Sequence, residues 1–212
     1  MATLTVDDKT IEAPGGSSVL SASLSAGIYI PHLCWLEADT PANAPAACRL
    51  CFVEVDGLNE PVTACTLPVK DGMTVHTGTR TVRRLQKTAL KLLFSVHRLD
   101  CKHCPANKAC GLQKIATFLG TGLGCKPFER VLKEPEVDPR HPVLDYYPNR
   151  CVLCGICVRI CREQHRLARL SFAGRGFDTV VGYFEAELEA AEGCASCRAC
   201  LEACPTGALV ER

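Results

Sequence analysis

The chain has 212 residues, enough for two or three small domains, and 16 of them are cysteine. Lys and Arg total 24 against 23 Asp and Glu, a net charge of +1 that lacks the basic excess of a nucleic-acid binder. No run of 18 apolar residues exists, and no basic start precedes an apolar core at the beginning, so neither a membrane span nor a secretory leader is expected.

Residues 3–6 alternate apolar and polar, Asp7-Asp8 suits a turn, and residues 10–13 can return as a second strand. After Pro14-Gly15-Gly16, Ser17 or Ser18 is positioned to cap a short helix through Ala26, stopped by Gly27. Residues 52–55 read as a strand ending at Asp56-Gly57, with a hairpin partner at 61–64 and a further strand at 73–75. This is an α+β pattern. Four cysteines fall within it, Cys34, Cys48, Cys51 and Cys65, with gaps of 13, 2 and 13 residues. Four thiolates suit one [2Fe-2S] rhomb, two per iron, but the spacing is not the plant-type C-x4-C-x2-C, and a zinc site remains open on spacing alone.

From Thr79 to Val96 the pattern is helical, with Val82, Leu85, Ala89, Leu92 and Val96 on one face. Arg80, Arg83, Arg84, Lys87 and Lys91 lie mostly opposite, as a solvated face or a docking surface for an acidic partner. Next come His97, Cys101, His103, Cys104 and Cys110. A cubane needs four ligands and only three thiols are present, so an imidazole is the candidate fourth, as imidazole replaces thiolate in Rieske centres. His97 and His103 both qualify. His103 lies inside the C-x2-C turn, where a side chain beside a ligand ordinarily points away, whereas His97 is one helical turn ahead of Cys101. A helix around residues 112–119 follows. Gly120-Thr121-Gly122-Leu123-Gly124 departs from G-x-G-x-x-G and reads as a turn. Residues 126–148, with five prolines, read as a surface linker.

Residues 151–161 and 194–204 both carry C-x2-C-x2-C-x3-C, the second followed by Pro205. In such runs three thiolates reach one cube and the fourth ligates the neighbouring cube. Cys151, Cys154, Cys157 and Cys204 are therefore expected to hold one [4Fe-4S] cluster, and Cys161, Cys194, Cys197 and Cys200 another. Structural zinc also uses C-x2-C pairs, but two complete four-cysteine runs favour iron–sulfur. Between the runs, residues 172–181 suggest a short strand or hairpin. The clustered spacings and absent leader point to a reducing cytoplasm, not a secreted disulfide scaffold.

With these motifs assembled the chain resembles a family of iron–sulfur subunits. The family includes the N-terminal part of the large iron–sulfur subunit of respiratory NADH dehydrogenase and the small diaphorase subunit of NAD-reducing hydrogenases. The accessory regions of iron-only hydrogenases and NAD-dependent formate dehydrogenases share it. The carriers are Cys48-Arg49-Leu50-Cys51-Phe52-Val53-Glu54-Val55, the His97/Cys101/Cys104/Cys110 motif, Asn149-Arg150-Cys151 through Glu163, and Cys204-Pro205-Thr206-Gly207-Ala208-Leu209. The resemblance spans residues 2–212 and implies a [2Fe-2S] cluster on Cys34, Cys48, Cys51 and Cys65 in a β-grasp domain. It also implies a [4Fe-4S] cluster on His97, Cys101, Cys104 and Cys110. Ala46-Ala47 stands where the family usually has a glycine, and Gly111 where an acidic residue is usual. Cys125 is left over and is expected to be an inert thiol.

The expected domains are a β-grasp [2Fe-2S] ferredoxin domain over 1–78 and a small helical His-ligated [4Fe-4S] domain over 79–125. The linker over 126–148 then leads to a bacterial-type two-[4Fe-4S] ferredoxin domain over 149–212. The expected function is a cytoplasmic electron-relay subunit with one [2Fe-2S] and three [4Fe-4S] clusters. Its expected partners are a flavin/NAD(P)-binding subunit and a catalytic subunit of hydrogenase or formate dehydrogenase type. The alternative is a peripheral-arm subunit of a respiratory NADH dehydrogenase-like complex. No dinucleotide fingerprint is present, and the residues up to Arg212 leave no room for an active-site domain, so the chain is not expected to catalyse alone.

Overall fold

The computed structural model describes residues 1–165, 169–184, 194 and 197–212. The chain divides into two compact units, residues 1–90 with 115–121, and residues 91–114 with 122–212.

In the first unit, strands β1 (Ala2–Val6) and β2 (Lys9–Ala13) form the expected antiparallel hairpin. Leu4, Val6, Ile11 and Ala13 alternate into the core. At the turn, Asp7 adopts a left-handed φ of 51° and accepts hydrogen bonds from the Thr77 backbone N–H and hydroxyl, each at 2.8 Å. Helix α1 (Val19–Ser25) is capped by Ser18, whose hydroxyl accepts from Ser21 N–H at 3.1 Å, and Gly27 in the left-handed region follows its end. Strands β3 (Phe52–Val55), β4 (Val62–Thr63) and β5 (Met73–His76) complete a five-stranded sheet of order β2-β1-β5-β3-β4. Only β1–β5 is parallel among these pairings.

Helix α2 (Arg80–Ser95) begins beside Thr79, whose hydroxyl accepts from Val82 N–H at 3.1 Å. Its buried positions are Val82, Gln86, Ala89, Leu90, Phe94 and Ser95, whereas Leu92 is 49% exposed. The buried face is thus rotated from the one the apolar pattern predicts. Gln86 tolerates burial because its amide donates to the Phe52 carbonyl and accepts from Arg83. Arg83 is not merely solvated either, since its guanidinium lies 4.7 Å over the Phe118 ring on helix α3 (Gly111–Phe118).

In the second unit, β6 (Leu144–Tyr146) pairs antiparallel with β9 (Leu209–Glu211). β6 lies inside the stretch expected to be linker, and it packs Leu144 and Tyr146 into the interior. Helix α4 (Ile156–His165), the hairpin β7 (Leu170–Ala173)–β8 (Val180–Tyr183) and the short helix α5 (Ala199–Glu202) complete the unit. Its core includes Tyr146, Val158, Leu170, Val181 and Leu209 together with Cys151 and Cys161. Among the described residues no helix is long and apolar enough to cross a membrane.

Candidate metal centres

All 16 cysteines are free thiols. In the first unit Cys34, Cys48, Cys51 and Cys65 are all at most 3% exposed. They are drawn together as two pairs. Cys34 and Cys48 have their sulfurs 3.5 Å apart, and Cys51 hydrogen-bonds Cys65. The Cys34 contact and burial push the Cys48 thiol up, and the Cys65 contact and burial do the same to Cys51. Two pairs of buried thiols are the donor set that two irons of one rhomb require. The Cys48–Cys51 turn is made by Arg49 at φ 52°, preceded by Ala46 at φ 47°. Trp35, beside Cys34, has a buried Nε1–H with no partner among the described residues.

In the second unit His97 is 6% exposed, and its Nδ1 is buried with no hydrogen-bond partner among the described residues. Burial, then Arg150 and Arg130, lowers its pKa to about 4. A neutral imidazole with an unused nitrogen is what ligation needs. His103 differs in both respects: its side chain is 78% exposed and its Nδ1 pairs with Asp100 at 2.8 Å. Cys110 is buried and its carbonyl accepts the Lys114 N–H at the start of α3. The Cys101–Cys110 loop is tied to the segment after Cys204, because Gly111 N–H donates to the Pro205 carbonyl at 2.8 Å.

The two C-x2-C-x2-C-x3-C runs enclose two cavities. One is lined by Cys161, Cys194, Cys197 and Cys200, the other by Cys151, Cys154, Cys157 and Cys204. Each therefore takes three thiols from one run and one from the other. Left-handed backbone at Leu153 (φ 52°), Gly155 (φ 76°) and Arg198 (φ 48°) bends the runs around these spaces. Burial and neighbouring thiols push Cys157 well up, and Cys200 to about 12. Such thiols ionise readily only with a cation among them. Among the described residues no group of three or more His, Cys, Asp or Glu side chains forms a single-ion site. The thiols instead stand around open spaces, and this donor set fits polynuclear iron–sulfur clusters.

Three family descriptions match the chain: a 2Fe-2S iron–sulfur cluster binding domain over 1–80, the NADH-ubiquinone oxidoreductase-G iron–sulfur binding region over 86–122, and a 4Fe-4S dicluster domain over 150–208. The NADPH-Fe(3+) oxidoreductase subunit alpha of Geobacter sulfurreducens is 34% identical over 212 residues, covering 100% of this chain and 24% of that protein. The NADP-reducing hydrogenase subunit HndD of Solidesulfovibrio fructosivorans is 36% identical over 215 residues, with 36% of its own length covered. The chain thus spans about a quarter to a third of these curated relatives. A chain of the crystal structure of an NAD+-reducing [NiFe]-hydrogenase in the H2-reduced state superposes with a TM-score of 0.83 at 33% identity, covering 100% of this chain and 87% of that one. The chain belongs to this family of iron–sulfur electron-relay subunits.

For a relay subunit, the groups around the sulfurs matter as much as the ligands, because they set the potentials. Tyr146 hydrogen-bonds Cys151 through its hydroxyl, which also accepts Val181 N–H at 3.2 Å. Arg169 donates from a guanidinium nitrogen to Cys194 Sγ at 3.2 Å. His141, 7% exposed, lines the same cavity as Cys194; burial, then Arg212 and Arg169, lowers it to about 4. None of Tyr146, Arg169, His141 or Trp35 is singled out by spacing or periodicity. Cys125 is buried outside the cysteine sets described above.

Proposed function

We propose that this relay subunit carries single electrons through one [2Fe-2S] and three [4Fe-4S] clusters. The route runs between a flavin/NAD(P)-binding subunit and a catalytic subunit of hydrogenase or formate dehydrogenase type, in the cytoplasm. The ligand sets are Cys34/Cys48/Cys51/Cys65 in a β-grasp domain over 1–78 and His97/Cys101/Cys104/Cys110 over 79–125. After the segment 126–148, residues 149–212 supply Cys151/Cys154/Cys157/Cys204 and Cys161/Cys194/Cys197/Cys200. One observation carries the reading: two cavities, each walled by four thiols taken three and one from opposite runs.

Bound clusters would supply one-electron redox chemistry at these positions. The chain's part is to hold the thiols in place, exclude water and aim hydrogen bonds at sulfur. Leu153 N–H does so, donating to Cys151 Sγ at 3.3 Å. Apolar Val152, Val181 and Leu209 wall the Cys151 cavity and keep it dry.

The test uses the full chain, loaded anaerobically. Iron should reach about 14 per chain, with matching sulfide. Dithionite should bleach the iron–sulfur absorption, whereas NADH or NADPH alone should not, because hydride transfer needs a flavin to divide the electron pair. Rapid stopped-flow bleaching by NADH without flavin would overturn the relay assignment, and stoichiometric zinc with little iron would overturn the ligand sets.

A further inference from the structure

The two thiol-lined cavities of the second unit are alike in their cysteines and unlike in the groups hydrogen-bonded to them. Around the Cys151 cavity, the described groups hydrogen-bonded to Cys151 are neutral, the Tyr146 hydroxyl and the Leu153 N–H, and the cation Lys133 acts on that thiol through space without a hydrogen bond. At the other cavity Arg169 directs a guanidinium N–H to Cys194 Sγ at 3.2 Å. This contact is built into the fold. Arg169 stands at the foot of β7, and its carbonyl accepts the Phe184 N–H at 3.0 Å, which extends the β7–β8 pairing by one step. The backbone is thereby fixed where the side chain can reach sulfur. Of the neighbouring cations, Arg198 is ion-paired with Glu211, and Arg212 with Asp145 at 3.0 Å. The other basic side chain lining the cavity, His141, has its Nδ1 occupied by the Val143 N–H.

We propose that Arg169 is a positioning and potential-setting residue. Its charged N–H···S hydrogen bond to Cys194 raises the reduction potential of the cluster held by Cys161, Cys194, Cys197 and Cys200 above the value that cluster would have with a neutral side chain at position 169. The inference rests on the ligand sets proposed above. Its physics is a difference between oxidation states. One-electron reduction by an outside donor adds one negative charge to the cluster and its thiolates. A fixed cation hydrogen-bonded to one of those sulfurs stabilises the reduced form more than the oxidised one. A neutral donor in its place, such as a glutamine amide, does so more weakly.

The experiment is an anaerobic dithionite titration of the loaded full-length chain, monitored by electron paramagnetic resonance. It compares the parent with Arg169→Gln, Arg169→Lys and Cys200→Ser. The Cys200→Ser variant identifies which cubane signal belongs to this site. Arg169→Gln should keep its iron and move that signal alone, lowering the reduced-to-oxidised ratio at fixed potential about tenfold, or about 59 mV for a one-electron couple. Arg169→Lys, which keeps the charge, should recover part of the shift. An unmoved midpoint with iron retained would overturn the inference, as would loss of the cluster from both Arg169 variants, which would make the residue structural. Cys200→Ser with its iron and signals unchanged would be a different failure, that of the ligand sets themselves.

Discussion

Ala46 holds φ at 47°, in the left-handed region that glycine enters without penalty. This explains physically why a glycine suits the stretch before the Cys48–Cys51 pair, where the present chain has alanine. The strain costs about 1–2 kcal/mol, offset in part by the lower chain entropy of alanine in the unfolded state. Ala46→Gly should therefore stabilise the first unit by about 0.5 kcal/mol, raising its thermal midpoint by about 1–2 °C; an unchanged or lowered midpoint in circular dichroism would show the turn is unstrained. His97 and His103 make a second contrast between single residues. His97→Ala should cost one cubane, about four iron atoms per chain, and His103→Ala none. Equal iron analyses for the two variants would refute the choice of His97. The grouping of cysteines around the two cavities of the second unit could be read from the sequence because spacing is a local code. Arg169 and Tyr146 could not, since what places each beside a cysteine is strand pairing or loop closure, which a linear pattern does not display.

Among the elements, the turn after Cys204 has little room. Gly207 sits at φ 66°, and a Cβ there would come 2.7 Å from Ala106 Cβ and 3.4 Å from Cys104 Sγ. Gly207→Ala should push apart the Cys101–Cys110 loop and the Thr206–Gly207 turn. The expected loss is about 1–3 kcal/mol for the overlap, with weakened retention of the His97-type cubane and an intact [2Fe-2S] spectrum. Pairing it with Ala106→Gly should restore part of the iron; no rescue would place the fault in the backbone angle instead of the overlap. Hairpin β1–β2 and helices α1 and α2 were readable because alternation, a serine cap and helical periodicity are short-range signals. Strand β6 was not. It is three residues long, lies among prolines and is made a strand only by β9, far along the chain. On α2 the periodicity was right and the face was not, because Gln86 has hydrogen-bond partners in the interior that no hydropathy pattern anticipates.

At the scale of the molecule the two units differ in what makes their cores. The first is aliphatic, with Leu4, Val6, Val19, Leu20, Ile30, Val53 and Val75 around the sheet and only Cys51 and Cys65 among its buried cluster. The second also holds two buried cysteines, Cys151 and Cys161, but in a smaller buried cluster, with Cys157, Cys200 and Cys204 packed against it in place of aliphatic side chains. Stripping iron with oxidant and chelator should therefore loosen residues 122–212 well before residues 1–90. Limited proteolysis read by mass spectrometry should find the first cuts in the later segment, and first cuts within β1–β5 would contradict this. The sharing of thiols between runs also has a consequence for how the protein is made. The cavity of Cys151, Cys154 and Cys157 has no fourth wall until Cys204 leaves the ribosome, about 2–10 s later at ordinary rates of synthesis. Until then three of its thiols are exposed together in the nascent chain, open to stray metal and to oxidation. On the ligand sets proposed above, neither cluster of the pair could be completed before both runs have left the ribosome, so assembly should fill a finished pair.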